Sequence, residues 1–368
     1  MRSSNLPALI FGPAYLDLVV RVAGPISHRP IDLGSDGHFD PDSLDRLEII
    51  CPNGAALIIP GLKGTACPTG RLTTANDVLP AGLNRTMAMI ETFEDLGGMG
   101  SGYAAALGGR LVSALAQPID PLSARVRQAI AKHGIDHRAV SFVDIAQADT
   151  TFIVTSGPSG DKLPIGLRGC HASLEPDDVL GYDHAPIVVA ASLSNALMHA
   201  VLVEARESLR ILAPSARNCR DRMYPLSRMA AVTDLLALNA GEWAELTETD
   251  RRAFEDSAAI LSITRGPEGA EILWRNRRRE RESHFEPAFP RRRPPVDTNR
   301  AGEAFATHLI RKLVETGWSH ERRTVDERAV RVAALYASAA AGLVIGMPRF
   351  GFPSSKDVER IVGLGEIS

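Results

Sequence analysis

The residues best suited to chemistry lie in the run Pro295-Val296-Asp297-Thr298-Asn299-Arg300-Ala301-Gly302-Glu303-Ala304-Phe305. A strand-like approach meets a turn of small residues and then an amphipathic helical pattern. A turn of that kind points backbone N–H groups, and the positive end of the helix dipole, at any anion placed above it. Glu303 falls in the first helical turn, where a carboxylate either serves as general base toward an alcohol or favours the dipole as a first-turn acid. Spacing alone leaves both readings open.

Such a turn needs a scaffold that delivers other polar residues to the same edge. Ile187-Val188-Val189-Ala190, Ile211-Leu212-Ala213, Leu235-Leu236-Ala237-Leu238 and Ile260-Leu261-Ser262-Ile263 are short apolar runs separated by helical patterns. Fully apolar strands alternating with helices predict a parallel sheet covered on both faces. Their ends carry Pro214-Ser215, Asn239 and Thr264-Arg265-Gly266, and open α/β sheets bind ligands at the carboxyl ends of their strands. The chain opens with another apolar run, Ala8 to Gly12, and then with alternating Leu16, Leu18, Val20 and Val22, the period of a half-exposed strand. Thr151 to Val154, followed by Gly157-Pro158-Ser159-Gly160, reads as a hairpin. With the early strands it predicts a small sheet apart from the core, placed to act as a lid.

Residues 24–93 are rich in proline, glycine, aspartate and threonine and read as loops, hairpins and an irregular insertion. The alanine-, leucine- and glycine-rich stretch Ser101 to Gln117 and the charged amphipathic stretch Ser123 to His133, closed by Gly134, predict two helices. Further helices are expected over about 301–316, with Phe305, Leu309, Ile310 and Leu313 on one face, and over about 326–345. Five arginines and two glutamates cluster between Arg275 and Glu282, and Arg291-Arg292-Arg293 follows. These runs read first as a solvated hairpin and second as an anion-binding patch.

A hydrophobic fraction of 45%, a charged fraction of 23% and a formal net charge of -3 point to no nucleic-acid or membrane partner. Cys51, Cys67, Cys170 and Cys219 lie far apart with no C-x-x-C pair, which argues against a zinc site and a disulfide framework and favours a reducing compartment. No apolar run approaches the roughly 20 residues of a membrane span and none at the N-terminus has the form of a signal peptide, so a cytoplasmic protein is expected. Walker A, H-E-x-x-H, G-x-S-x-G and complete G-x-G-x-x-G patterns are absent from the sequence, which removes the usual support for P-loop, zinc-protease, α/β-hydrolase and NAD readings.

The 295–305 segment resembles the signature D-T-x-G-A-G-D-x-F of the ribokinase-like (PfkB) carbohydrate kinases, with Asp297, Thr298, Ala301, Gly302 and Phe305 in register. Gly12 to Asp17 is similar to that family's first strand and substrate aspartate, and Gly97-Gly98-Met99-Gly100 to its G-G-x-G segment. Asn239-Ala240-Gly241-Glu242 matches its N-x-x-E motif, and Ile263 to Gly269 resembles its T-x-G-x-x-G turn. The resemblance implies one ribokinase-like α/β domain over 1–368: a three-layer α/β/α sandwich with a mainly parallel central sheet and a small β-sheet lid from segments of about 14–62 and 149–172. It implies ATP and magnesium, with Thr264, Gly266, Gly269 and Asn239 at the nucleotide and Glu242 and Asn239 at the metal. A monovalent cation near Asp297 belongs to the same expectation. Glu303 would take the proton from a hydroxyl of a small sugar, polyol or nucleoside, and Arg300, Ala301 and Gly302 would complete the catalytic turn. Asp17, Gly98, Met99 and Gly100 would hold that acceptor, and the lid edges offer a route to a homodimer.

Four positions depart from the family pattern. Its catalytic aspartate is Glu303, one methylene longer, and the first glycine of its anion-hole turn is Arg300, a cation in the path expected for phosphates. The lysine and asparagine common in ribose-type members are Met99 and Gly102. These changes leave a second reading open: a catalytically silent member that binds a nucleotide or sugar as sensor or scaffold.

Overall fold

The computed structural model describes residues 6–22, 28–30, 46–50, 56–60, 73–74, 78–80, 89–145, 148–156, 162–167, 169–178, 181–182 and 185–367. Along the chain, the strands begin with β1 (Ala8–Phe11), β2 (Tyr15–Val22), β3 (His28–Pro30), β4 (Arg46–Ile50), β5 (Ala56–Pro60), β6 (Thr73–Thr74), β7 (Val78–Pro80) and β8 (Met89–Gly97). Helix α1 (Met99–Leu107), β9 (Arg110–Leu115), α2 (Pro121–Lys132), β10 (Asp136–Phe142), β11 (Thr150–Ser156) and β12 (Lys162–Leu167) follow. Next come β13 (Ile187–Ala191), α3 (Asn195–Glu204), β14 (Leu209–Ala213), α4 (Ala216–Arg220), β15 (Leu235–Asn239), α5 (Ala240–Glu245), α6 (Glu248–Ser257) and β16 (Ile260–Thr264). The chain closes with β17 (Gly269–Arg275), β18 (Arg281–Pro287), α7 (Ala301–Glu315), α8 (Glu327–Val344) and α9 (Ser355–Leu364).

The apolar runs form the expected sheet, in the order β10-β9-β1-β13-β14-β15-β16-β17-β18. Its first seven strands are parallel, and the β16–β17–β18 meander that ends it is antiparallel. Strands β13, β14 and β9 are buried along nearly their whole length because helices cover both faces. Helices α1, α7, α8 and α9 pack on one another in one layer, while α3 and α6 meet through the 3₁₀ stretch Leu226–Val232 in another. The stretch 101–117, expected as helix, divides in two. Helix α1 stops at Gly108, whose left-handed φ of 72° ends it, and the remainder is strand β9, buried between β10 and β1.

A second sheet, ordered β6-β12-β11-β2-β8, lies apart from the first. It takes in β8, beyond the segment of about 14–62 expected to build the lid, because β2 pairs antiparallel with Met89–Gly97 along its length. Its β11–β12 hairpin is held at both ends by one buried side-chain chain: His171 lies 2.6 Å from Asp149 and 2.9 Å from Ser113 on the core strand β9. The turn 157–160 and the cysteines Cys51 and Cys67 fall outside the described residues. Cys170 and Cys219 are buried and in no disulfide, and burial pushes the Cys170 thiol up to about 12.

The arginine-rich stretch is the β17–β18 hairpin; Arg277, Arg278 and Arg279 are exposed, while Arg275 and Arg281 are structural. Arg275 and Arg281 donate to the Glu255, Asp256 and Ala258 carbonyls at the end of α6, where unpaired helix carbonyls need donors. Arg292 pairs with Glu366, and Arg291 donates to the Gly342 carbonyl.

Candidate active site

The turn before α7 keeps the shape of an anion cradle although its first glycine is replaced. Arg300, the residue preceding the helix, takes the left-handed conformation at φ 66° and ψ 0° that glycine adopts without strain. Asp297 fixes the approach: its Oδ1 accepts from Asn299 N–H at 2.8 Å, while Val296 and Asp297 N–H both donate to the Ile345 carbonyl. The first intrahelical bond runs from Ala304 N–H to the Arg300 carbonyl at 2.8 Å. Helix geometry therefore leaves the Ala301, Gly302 and Glu303 N–H groups without partners in the ladder. Gly302 itself borders open space, since a Cβ there would meet no heavy atom within 4 Å.

The Arg300 side chain turns into the protein and is only 8% exposed. Its Nη2 lies 3.1 Å from Asp297 Oδ2, its Nη1 3.8 Å from Asp95 Oδ2 on β8, and its guanidinium 5.8 Å from the Phe350 ring centroid. Asp95 also accepts from the N–H groups of Leu96 and Phe350. Burial raises the Asp95 carboxyl above its ordinary value, and the Arg300 charge works against that rise. Asp95 joins the second sheet to the turn before α7, a role that sequence reasoning missed. The available signal was its place two residues before Gly97, on the same face of a strand.

Two carboxylates, Glu242 and Glu303, lie near enough for the charge of Glu303 to act on Glu242. Asn239 and Glu242 form a capping box at the start of α5: Asn239 N–H donates to Glu242 Oε2 at 2.8 Å, and Glu242 N–H to Asn239 Oδ1 at 2.9 Å. Burial pushes the Glu242 carboxyl up to about 7, with the Glu303 charge adding to the rise. Tyr103 on α1, also missed from sequence, is buried beside both, and its phenol is raised well above the ordinary value by burial and then by those two charges. Asn239 and Thr264 are register partners at the ends of β15 and β16, so the structure brings these two expected nucleotide residues together.

The two glycines of the 263–269 turn differ in kind. Gly269, at φ 128°, lies so close to β18 that a Cβ would stand 2.1 Å from the Glu286 carbonyl oxygen. Gly266, at φ 58°, borders open space. Among the residues expected to hold an acceptor, the Asp17 carboxylate sits over Gly97, where a Cβ would come within 2.4 Å of it. Gly98, at φ 99°, and Gly100 let the loop before α1 press against Gly12 and Pro13, a Cβ on Gly98 falling 2.2 Å from the Pro13 carbonyl oxygen. Met99 packs on the core. Gly102, inside α1, lies opposite Glu303 and Phe352, which a Cβ there would approach to 3.3 and 3.6 Å.

A scan against protein families matches the pfkB family carbohydrate kinase description over residues 92–355. The chain belongs to this family. Solved structures agree on the fold: a nucleoside kinase of the ribokinase family from Methanocaldococcus jannaschii is 13% identical with a TM-score of 0.66, over 98% of this chain and 99% of that one. A Giardia lamblia ribokinase is 16% identical with a TM-score of 0.66 over 98% and 99% of the two chains. A Xylella fastidiosa fructokinase with bound ATP is 13% identical with a TM-score of 0.64 over 97% and 98%. A search of curated proteins finds no match.

Among the described residues of this pfkB family member, no group of three or more His, Cys, Asp and Glu could hold a metal unaided. Glu242 nevertheless suits magnesium, which binds through one or two carboxylates together with substrate phosphates: its charge is held down by burial and by Glu303, and a cation would relieve both. A monovalent cation near Asp297, as expected from the sequence, would share that carboxylate with protein donors. Both Asp297 oxygens are engaged, one by Asn299 N–H and one by the Arg300 guanidinium, which already supplies a positive charge there.

Proposed function

We propose that this pfkB family member is an ATP-dependent phosphotransferase acting on a hydroxyl of a small sugar, polyol or nucleoside. The observation that carries the reading is the α7 turn, whose first three N–H groups have no partner in the helix ladder and whose Gly302 borders open space, with Glu303 in the same helical turn. Donors preorganised toward developing charge are the main means by which phosphoryl transfer is accelerated. In this reading Ala301, Gly302 and Glu303 N–H hold the oxygens of the transferring phosphoryl. Glu303 accepts the acceptor's hydroxyl proton as that oxygen bonds to the γ-phosphorus and the bond to the β-phosphate oxygen breaks, releasing ADP. Asn239 and Thr264 border the nucleotide, and Asp17 holds acceptor hydroxyls beneath the lid. Magnesium, when bound, supplies charge neutralisation for the phosphates, with Glu242 and Asn239 as the residues that would orient it.

The silent-protein reading drew on Glu303, Met99 and Gly102 together with Arg300, a cation expected in the phosphate path. That side chain lies instead between Asp297 and Asp95, which supports access to the N–H groups. The test is transfer of labelled γ-phosphate from ATP to a panel of sugars, polyols and nucleosides by the native protein and Glu303→Gln. Labelled product from the native protein alone is expected. Equal turnover in the variant would remove Glu303 as base, and label transfer to no acceptor would favour the silent protein.

A further inference from the structure

Glu303 and Gly102 each depart from the family pattern, and the structure places them so close that any side chain at 102 would crowd Glu303. Gly102 is buried in the interior of α1, where alanine would be the better helix former. A Cβ at position 102 would lie 3.3 Å from Glu303 Cγ, 3.7 Å from Glu303 Cβ and 3.6 Å from Phe352 Cζ. The methylene that distinguishes glutamate from aspartate thus rests on the bare face of α1, opposite a ring edge. We infer that Gly102 is a positioning residue for Glu303: its missing side chain seats the Cγ methylene, and the two departures form one coupled change.

An aspartate at 303 would carry its carboxylate carbon at the level of Gly102. The glutamate carries an apolar group there and its carboxylate one carbon further on. Any side chain at 102 pushes on that methylene, and the displacement passes to the carboxylate. A 3.3 Å separation is tighter than most carbon contacts, so Glu303 must give by a few tenths of an ångström. Misplacement of about 1 Å can cost on the order of a hundredfold in rate, so a loss of about tenfold is expected here.

The catalytic half of this inference rests on the phosphotransferase reading, and the packing half does not. The experiment separates them with Gly102→Ala, Glu303→Ala and the double variant. Thermal unfolding of the ligand-free proteins reads the packing: Gly102→Ala should raise the midpoint in the Glu303→Ala background, which lacks the methylene, and should lower it or leave it unchanged when Glu303 is present. An equal rise in both backgrounds overturns the pairing. Should Gly102→Ala alone fail to fold, a folded double variant carries the same conclusion, and failure of both overturns it. Kinetics read the positioning: kcat of Gly102→Ala should fall about tenfold while the KM for ATP stays within about twofold. An unchanged kcat refutes that role, whereas a native protein without any turnover refutes the phosphotransferase reading and leaves the unfolding result to decide the pairing.

Discussion

Replacing Arg300 by glycine sets two effects of opposite sign against each other. Glycine relieves a left-handed backbone at φ 66°, worth about 1 kcal/mol. The same change strips the guanidinium from Asp297 at 3.1 Å and Asp95 at 3.8 Å, groups that are 17% and 14% exposed. Breaking a buried pair costs about 3 to 5 kcal/mol. With this residual exposure the lower end applies, so the net loss is about 2 kcal/mol at pH 7. Urea unfolding at pH 7 measures it directly.

Acid provides the control. Burial raises the folded Asp95 carboxyl above its unfolded value of 3.8 and Arg300 holds it back, so the variant raises it further. For an acid with a raised folded value, ionisation destabilises the fold at high pH, and stability returns as pH falls through that value. The deficit of Arg300→Gly should therefore shrink between pH 7 and pH 4. A variant as stable as the native protein at pH 7, or a deficit that does not change with pH, would refute this account of Arg300.

Glu242, raised to about 7 from 4.5, should make the ligand-free native protein less stable as pH rises from 4.5 to 7. Glu242→Gln should flatten that part of the stability curve, read by thermal unfolding across pH. Asp17→Ala should raise the acceptor KM at least tenfold, a loss of more than about 1.4 kcal/mol, and leave ATP affinity unchanged by titration. Gly269→Ala should cost about 3 kcal/mol or more by denaturant unfolding, through its clash with the Glu286 carbonyl oxygen and its φ of 128°. Gly266→Ala, facing open space, should cost about 1 kcal/mol.

The legible parts of the molecule were those written in local pattern. The runs Ile187 to Ala190 and Leu235 to Leu238 are apolar because both faces of the central sheet are covered, so burial itself supplied the signal. The 297–303 turn was readable because a helix start is written locally, whereas Asn239 and Glu242 were singled out by family resemblance and the capping box they form was not read. Helix α1 and strand β9 merged in reading because both are alanine- and leucine-rich, and only the left-handed Gly108 divides them. Arg300 was legible as a misplaced cation, but its partner Asp95 is distant in sequence and meets it only through the pairing of β8 with β2. The closeness of Gly102 to Glu303 was hidden for the same reason: packing between α1 and α7 is not local.

Calorimetric titration of the native protein with ATP, with and without magnesium, tests the central claim without requiring the acceptor to be known. Magnesium-dependent binding, with Glu303→Gln binding equally well, is the predicted result. No binding at millimolar ATP would contradict the assignment of the α7 turn as a phosphate cradle.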